Sequence, residues 1–199
     1  GEHWTNLRNC AFLLEFEKPK IVWIEISDRA NYAYDENGMY LTNSAYFLTC
    51  KNEKVSLKYL LAVLNSKVAD YYFSQKTARI AGGRMRYTKQ FVEQIPVPEI
   101  PMEQQKPFIA LVDIVLFLRK QHFRESSDKV MHFYFEQIID VAVVELYFGE
   151  QIKKENFEII KYLNPILESS FSLTVDSIRQ VFNEFDKPSH PVRNAVSLL

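Results

Sequence analysis

The sequence predicts an α+β fold, a small mixed sheet with packed helices followed by a mostly α-helical C-terminal unit. Three observations predict it. Alternation of β-branched and aromatic residues is confined to the first half, in KIVWIEIS (20–27) and MYLTNSAYFLT (39–49). The segment FVEQIPVPEIP carries prolines at 96, 98 and 101, which forbid continuous helix and favour an extended connector. From Met102 onward the apolar spacing is helical. The expected division is therefore 1–101, an α+β region, and 102–199, a helical spacer and C-terminal helical region.

In chain order, CAFLLEF (10–16) alternates Phe12, Leu14 and Phe16 as a strand does. KIVWIEIS follows Pro19, which sets an extended entry, and alternates at Val22, Ile24 and Ile26. Turn chemistry lies at Asp35 to Gly38, and MYLTNSAYFLT resumes strand character with Asn43 and Ser44 interrupting it, the pattern of a hairpin or a bulged strand. Ser56 is placed to cap one helix through SLKYLLAVLNSKVADYYF, where Leu57, Leu60, Leu61, Leu64 and Val68 recur at helical spacing. EQQKPFIALVDIVLFLRKQ reads as a further helix with Pro107 near its first turn. DKVMHFYFEQIIDVAVVELYF (128–148) reads as another, with Asp128 as N-cap and Gly149 as its stop. NFEIIKYL and TVDSIRQVFNEF, the latter capped by Thr174, complete a helical second half.

Composition narrows the class. At 199 residues, 47% apolar and 14% aromatic, the chain can fill a core and reads as globular. Cys10 and Cys50 are too few for a disulfide scaffold and lack CxxC spacing, so buried thiols in a reducing cytoplasm are expected. The longest apolar run, around Phe108 to Leu118, is far short of a membrane span, and GEHWTN has no signal-peptide pattern, which points to a soluble, cytoplasmic protein. An opening Gly followed at once by mid-domain sequence reads as a fragment of a longer chain.

Motifs for catalysis and metal binding are missing. His3, His122, His132 and His190 show neither HxxxH nor HExxH spacing, and no close cysteine pair completes a zinc site. There is no GxSxG and no GxxxxGK[ST]. Asp140, in the apolar run IIDVAVV, fits a hydrogen-bonded structural carboxylate better than a functional one. Asn164-Pro165 continues as Ile-Leu, without the aromatic residue that an adenine-flipping methyltransferase stacks on its target, and reads as a helix stop. No catalytic residue, metal ligand or cofactor site is assigned.

One segment stands out. The chain balances 24 Lys plus Arg against 25 Asp plus Glu, yet residues 76–90 hold Lys76, Arg79, Arg84, Arg86 and Lys89 and no acid. Such a segment focuses positive potential on one face of a nearly neutral protein. Arginines make bidentate contacts to phosphates or guanine edges, lysines act as point charges, and Tyr87 and Gln90 add stacking and hydrogen bonding. Gly82 and Gly83 let the backbone turn sharply or approach another surface closely. On residues alone, a solvated basic loop and a nucleic-acid-facing loop fit this segment about equally.

Five motifs in order change that balance. PKIVWIEIS, YLTNSAYFLT, YLLAVLNSKVADYYF, GGRMRYTKQFVEQIPVP and MEQQKPFIALVDIV together resemble the target-recognition region of restriction and modification enzymes. In particular they resemble the TaqI-like C-terminal specificity domain that follows the methyltransferase domain in type IIG enzymes and related adenine-specific methyltransferases. The LNSK helix and the RYTKQ to IPVP segment are the most characteristic pieces, and the likeness covers roughly residues 18–118.

The resemblance implies a bacterial module that docks on double-stranded DNA and reads its sequence, while a methyltransferase domain of the same chain methylates adenine and a nuclease domain, where present, cleaves. S-adenosylmethionine and Mg2+ are then cofactors of the parent enzyme, with none expected in this fragment. Lys76, Arg79 and Lys89 would hold phosphates, and Arg84 and Arg86 would touch base edges. Tyr32, Tyr40, Asn43 and Ser44 are secondary DNA-binding candidates. The rival reading is a helical protein-interaction or assembly module in residues 102–199, with the basic loop as ordinary surface.

Overall fold

A computed structural model describes residues 11–51, 53–80, 82–121, 126–168 and 170–198. Cys10, His3 and His122 lie outside the described residues. The strands are β1 (Lys20–Ile24), β2 (Ile26–Ser27), β3 (Ala33–Asp35), β4 (Ala45–Leu48) and β5 (Met85–Arg86). β1 is the centre of an antiparallel sheet ordered β3-β1-β4, and β2 pairs with β5 in a second, two-stranded ribbon. The expected continuous strand over 20–27 is thus broken at Glu25, where the chain changes partners.

The Phe12, Leu14, Phe16 alternation does not make a strand. Residues Leu13–Glu17 form a 3-10 turn instead, which brings the Phe16 carbonyl to the Lys20 ammonium at 2.5 Å. Lys20 and Asp35 face each other in the first β1–β3 pair, both buried, with Nζ and Oδ2 2.5 Å apart. Asp35 also accepts the N–H groups of Asn37 and Met39 at 2.9 Å, closing the expected turn, in which Gly38 has φ +73°. Of MYLTNSAYFLT only Ala45–Leu48 is strand.

The helices are α1 (Leu57–Asn65), α2 (Lys67–Lys76), α3 (Lys89–Val92), α4 (Met102–Lys120), α5 (Ser126–Lys154), α6 (Val175–Phe185) and α7 (Pro191–Val196). Ser56 caps α1 by accepting the Lys58 N–H, as the sequence predicts. The single helix expected from 56 to 73 breaks at Ser66, whose extended backbone ends one helix while its hydroxyl caps the next by accepting the Ala69 N–H. Asp140 completes that start from across the core, its carboxylate accepting the Lys67 N–H at 2.8 Å, so it is a structural group.

Gly149 does not end α5. The chain bends at Phe148 (φ −124°, ψ 31°), and the helix continues to Lys154. Asn156 supplies the stop, with φ +59°, the Phe157 N–H bonded to the Ile152 carbonyl and the Asn156 N–H to that of Lys153. These are the two bonds of a Schellman ending. Asp128 lies inside the first turn rather than before it. NFEIIKYL forms only a 3-10 turn at Ile160–Tyr162, and Asn164–Ile166 forms another. Thr174 caps α6 through the Ser177 N–H.

α1 packs on α4, α4 on α5 and α5 on α7, and one cluster of buried side chains runs from Ile21 and Trp23 through Tyr59, Phe108 and Phe135 to Phe185. This is an α+β protein with a helical C-terminal part. Among the described residues no helix is long and apolar enough to cross a membrane. Cys50 is exposed rather than buried, its thiol donating to the Val55 carbonyl.

Candidate nucleic-acid interface

The basic segment begins where α2 ends. The N–H and hydroxyl of Thr77 both donate to the Phe73 carbonyl, fixing the exit of the chain. The backbone then folds back on itself: the Ile80 N–H bonds to the Arg84 carbonyl at 2.8 Å, and the Gly83 N–H to the Ile80 carbonyl at 3.1 Å. Gly82 and Gly83 carry φ values of +80° and +75°, a conformation that side chains with a Cβ rarely adopt. Arg79 staples the turn by donating from Nη1 to the Gly83 carbonyl at 2.8 Å. Arg79 and Arg84 are both exposed, the Arg84 side chain lying over Gly82.

β5 returns the chain to the body, and its alternation sorts the two residues. Met85, opposite Ser27, is buried, and Arg86, opposite Ile26, is exposed. Arg86 is not an unengaged cation, since its Nη1 lies 3.2 Å from the Glu25 carboxylate. Lys89 and Gln90 are exposed on α3, and Lys76 is exposed with its ammonium over the Tyr72 ring at 5.4 Å. Among the described residues, no carboxylate pairs with Lys76, Arg79, Arg84 or Lys89.

Tyr87 is 2% exposed, so its ring offers no platform for a base. It lies parallel to Phe73 with ring centroids 4.2 Å apart, and its hydroxyl donates to Asp70 at 2.9 Å. The Tyr87 carbonyl accepts the Trp23 indole N–H at 2.7 Å, and its N–H donates to the Glu25 carbonyl. Burial, reinforced by the Asp70 charge, pushes the phenol far above its ordinary pKa. Tyr87 anchors the loop that the arginines ride on.

Tyr32 is likewise interior, at 4% exposure, 5.5 Å from Trp23. Its backbone is clamped by Asn65, whose Oδ1 accepts the Tyr32 N–H at 3.0 Å and whose Nδ2 donates to the Tyr32 carbonyl at 2.9 Å. Tyr40 is exposed and stacked on Phe16 at 5.0 Å. Asn43 and Ser44 form an exposed turn before β4, and the Ser44 carbonyl accepts the Glu25 N–H at 3.0 Å. Glu25 therefore joins the Ser44 turn to the Arg86 strand.

Residues 2–97 match the model of the TaqI-like C-terminal specificity domain. This stretch, just under half of the chain, is similar to that domain. The match starts ahead of the motif series that resembles it and stops just short of α4. A curated relative, the type II methyltransferase M.XhoI of Xanthomonas vasicola, is 28% identical over 108 residues, which is 53% of this chain and 19% of that protein. The chain thus spans about a fifth of the relative that it matches.

Within the matched stretch, Glu25, Asp70 and Phe73 are the supports of the basic loop that sequence reasoning missed. Asp70 sits in the helix VADYYF with no local sign that its partners are Ala30 and Tyr87, 40 and 17 residues away. Glu25 looks like one polar position in an alternating strand, and only the change of strand partners distinguishes it. Among the described residues, no group of three His, Cys, Asp or Glu is placed to hold a metal ion.

Proposed function

We propose that residues 1–101 form the module with which a bacterial restriction-modification enzyme reads its double-stranded DNA target. In this reading the module directs an N6-adenine methyltransferase domain of the same chain and, in a type IIG arrangement, a nuclease domain. Methyl transfer and cleavage, with S-adenosylmethionine and Mg2+, belong to those domains, and the fragment binds without catalysing. The enzyme works in the cytoplasm, where its DNA is.

The observation that carries the reading is the acid-free loop of the specificity domain, closed at both ends on α2 and presenting Arg79, Arg84 and Arg86 outward. Lys76, Arg79 and Lys89 are assigned to phosphates, which set affinity and register. Arg84 and Arg86 are assigned to base edges, which carry sequence information. Tyr40, Asn43 and Ser44 are the secondary contacts. Tyr87 and Tyr32 drop out of the contact set and become supports.

Titration of the parent enzyme against a duplex library tests the assignment. Arg84→Ala should cost roughly 1 to 3 kcal/mol on the preferred site and little elsewhere. Unchanged affinity and unchanged sequence preference for Arg84→Ala and Arg86→Ala together would return the loop to ordinary surface.

A second reading draws on Val130 and Phe133, 58% and 62% exposed one turn apart on α5. They favour the helical half as a protein-docking surface. Analytical ultracentrifugation of Phe133→Ser with the parent enzyme's other domains separates this reading from the first.

A further inference from the structure

Glu25 is the single residue between β1 and β2, and it engages both segments of the proposed DNA face. Its N–H donates to the Ser44 carbonyl at 3.0 Å, and its carbonyl accepts the Tyr87 N–H at 2.6 Å. Its carboxylate lies 3.2 Å from Arg86. The backbone bonds follow from topology: β1 pairs with β4 and β2 with β5, so the residue between them must bond both ways. With its main chain held at both polar groups, Glu25 has its carboxylate fixed beside the arginine that β5 turns outward. The pair is at the surface, with side chains 54% exposed for Arg86 and 27% for Glu25.

We infer that Glu25 determines specificity by suppressing binding to non-cognate duplexes, an inference that rests on the DNA-recognition reading above. In the free protein its carboxylate engages Arg86. A duplex drawn in by Lys76, Arg79, Arg84 and Lys89 then meets one cation already occupied and one anion facing its phosphates. Discrimination is a difference of affinities, and a repulsive element beside an attractive one widens it. A guanine edge offers two acceptors to a guanidinium fork, and arginine has five N–H donors, so Arg86 can turn to the base without leaving Glu25 bare. An exposed ion pair is worth little by itself, so a well-placed acceptor pair outcompetes it and a misplaced phosphate does not repay the repulsion.

The test is Glu25→Gln in the intact parent chain, which preserves shape and both backbone bonds. Affinity is measured at several salt concentrations for the preferred duplex and for random-sequence duplex. Liberating Arg86 adds one phosphate contact. Random-duplex affinity should therefore rise about five- to tenfold near 0.1 M salt, with the log–log salt slope steeper by about 0.9. The preference for the cognate site should fall by a comparable factor. In an Arg86→Ala background, with no arginine left to liberate, the same substitution should give only a smaller rise, from the lost repulsion alone. An unaltered random-duplex slope, or a uniform loss of affinity for every duplex, overturns the inference while leaving the DNA-recognition reading intact. Absence of salt-dependent duplex binding by the wild type overturns that underlying reading itself.

Discussion

The hydroxyl of Tyr87 donates to Oδ1 of Asp70 at 2.9 Å, and the same oxygen accepts the Ala30 N–H at 2.9 Å. One carboxylate of α2 thus holds both the far end of the basic loop and the chain leaving β2. Tyr87→Phe keeps the ring stacked on Phe73 and removes only this bond, so it should cost about 1 kcal/mol in urea unfolding. Tyr87→Ala also empties the stack and should cost roughly 3 to 5 kcal/mol.

The buried Lys20–Asp35 pair gives the N-terminal sheet an acid limit. Burial works to raise the Asp35 pKa, but the bonds from Lys20 and from the N–H groups of Asn37 and Met39 outweigh it and hold the carboxyl below its ordinary 3.8. A depressed folded value means that this stabilisation is complete above the unfolded pKa and is lost as pH falls through the folded one. Acid unfolding followed by circular dichroism should therefore shift to higher pH in Lys20→Met. That variant should also lose about 3 to 5 kcal/mol at neutral pH by stranding Asp35.

His132 titrates in a different window. Burial, helped by the Arg119 charge, pushes its imidazole down to about 4 from 6.5. The unfolded chain takes up the proton first, so stability is full above 6.5 and declines as pH falls toward about 4. The decline amounts to roughly 2 to 3 kcal/mol. His132→Phe should flatten that part of the pH–stability curve, and an NMR titration should find the imidazole neutral at pH 5.5.

Gly83 tests backbone strain without crowding. Among the described residues a Cβ there would meet nothing within 4 Å, yet its φ is +75°. Gly83→Ala should therefore destabilise the loop by about 1 to 2 kcal/mol through conformation alone. Weaker duplex binding with a melting temperature lowered by about 2 to 8 °C is the expected outcome.

Much of this architecture was readable from local chemistry. Ser56 and Thr174 cap the helices that their positions announce, because an N-cap bond spans only two or three residues. The acid-free run from Lys76 to Lys89 is equally local. What escaped the sequence depends on partners far along the chain. Phe12, Leu14 and Phe16 alternate like a strand but have no strand to pair with among the described residues, and the Phe16 ring instead packs tilted against Phe47, centroids 4.6 Å apart. Ser66 reads as one more residue of a long helix until its backbone breaks the run. Asn65 reaches a local group, the Leu61 carbonyl at 3.3 Å, but its amide also clamps Tyr32, 33 residues away. Tyr87, surrounded by cations, has the composition of a base-stacking residue and the position of a core one.

The closing of both loop ends on Phe73, through its carbonyl to Thr77 and its ring to Tyr87, makes residues 78–84, ahead of the buried Met85, an exchangeable cassette. The cost of closing a loop grows only slowly with its length. Longer or shorter inserts can then be carried between the same two posts while the scaffold below stays unchanged. In the proposed DNA-reading role, a new target sequence needs no new fold, only new cargo between Thr77 and Met85. An engineer can use the same two junctions to transplant this loop between relatives.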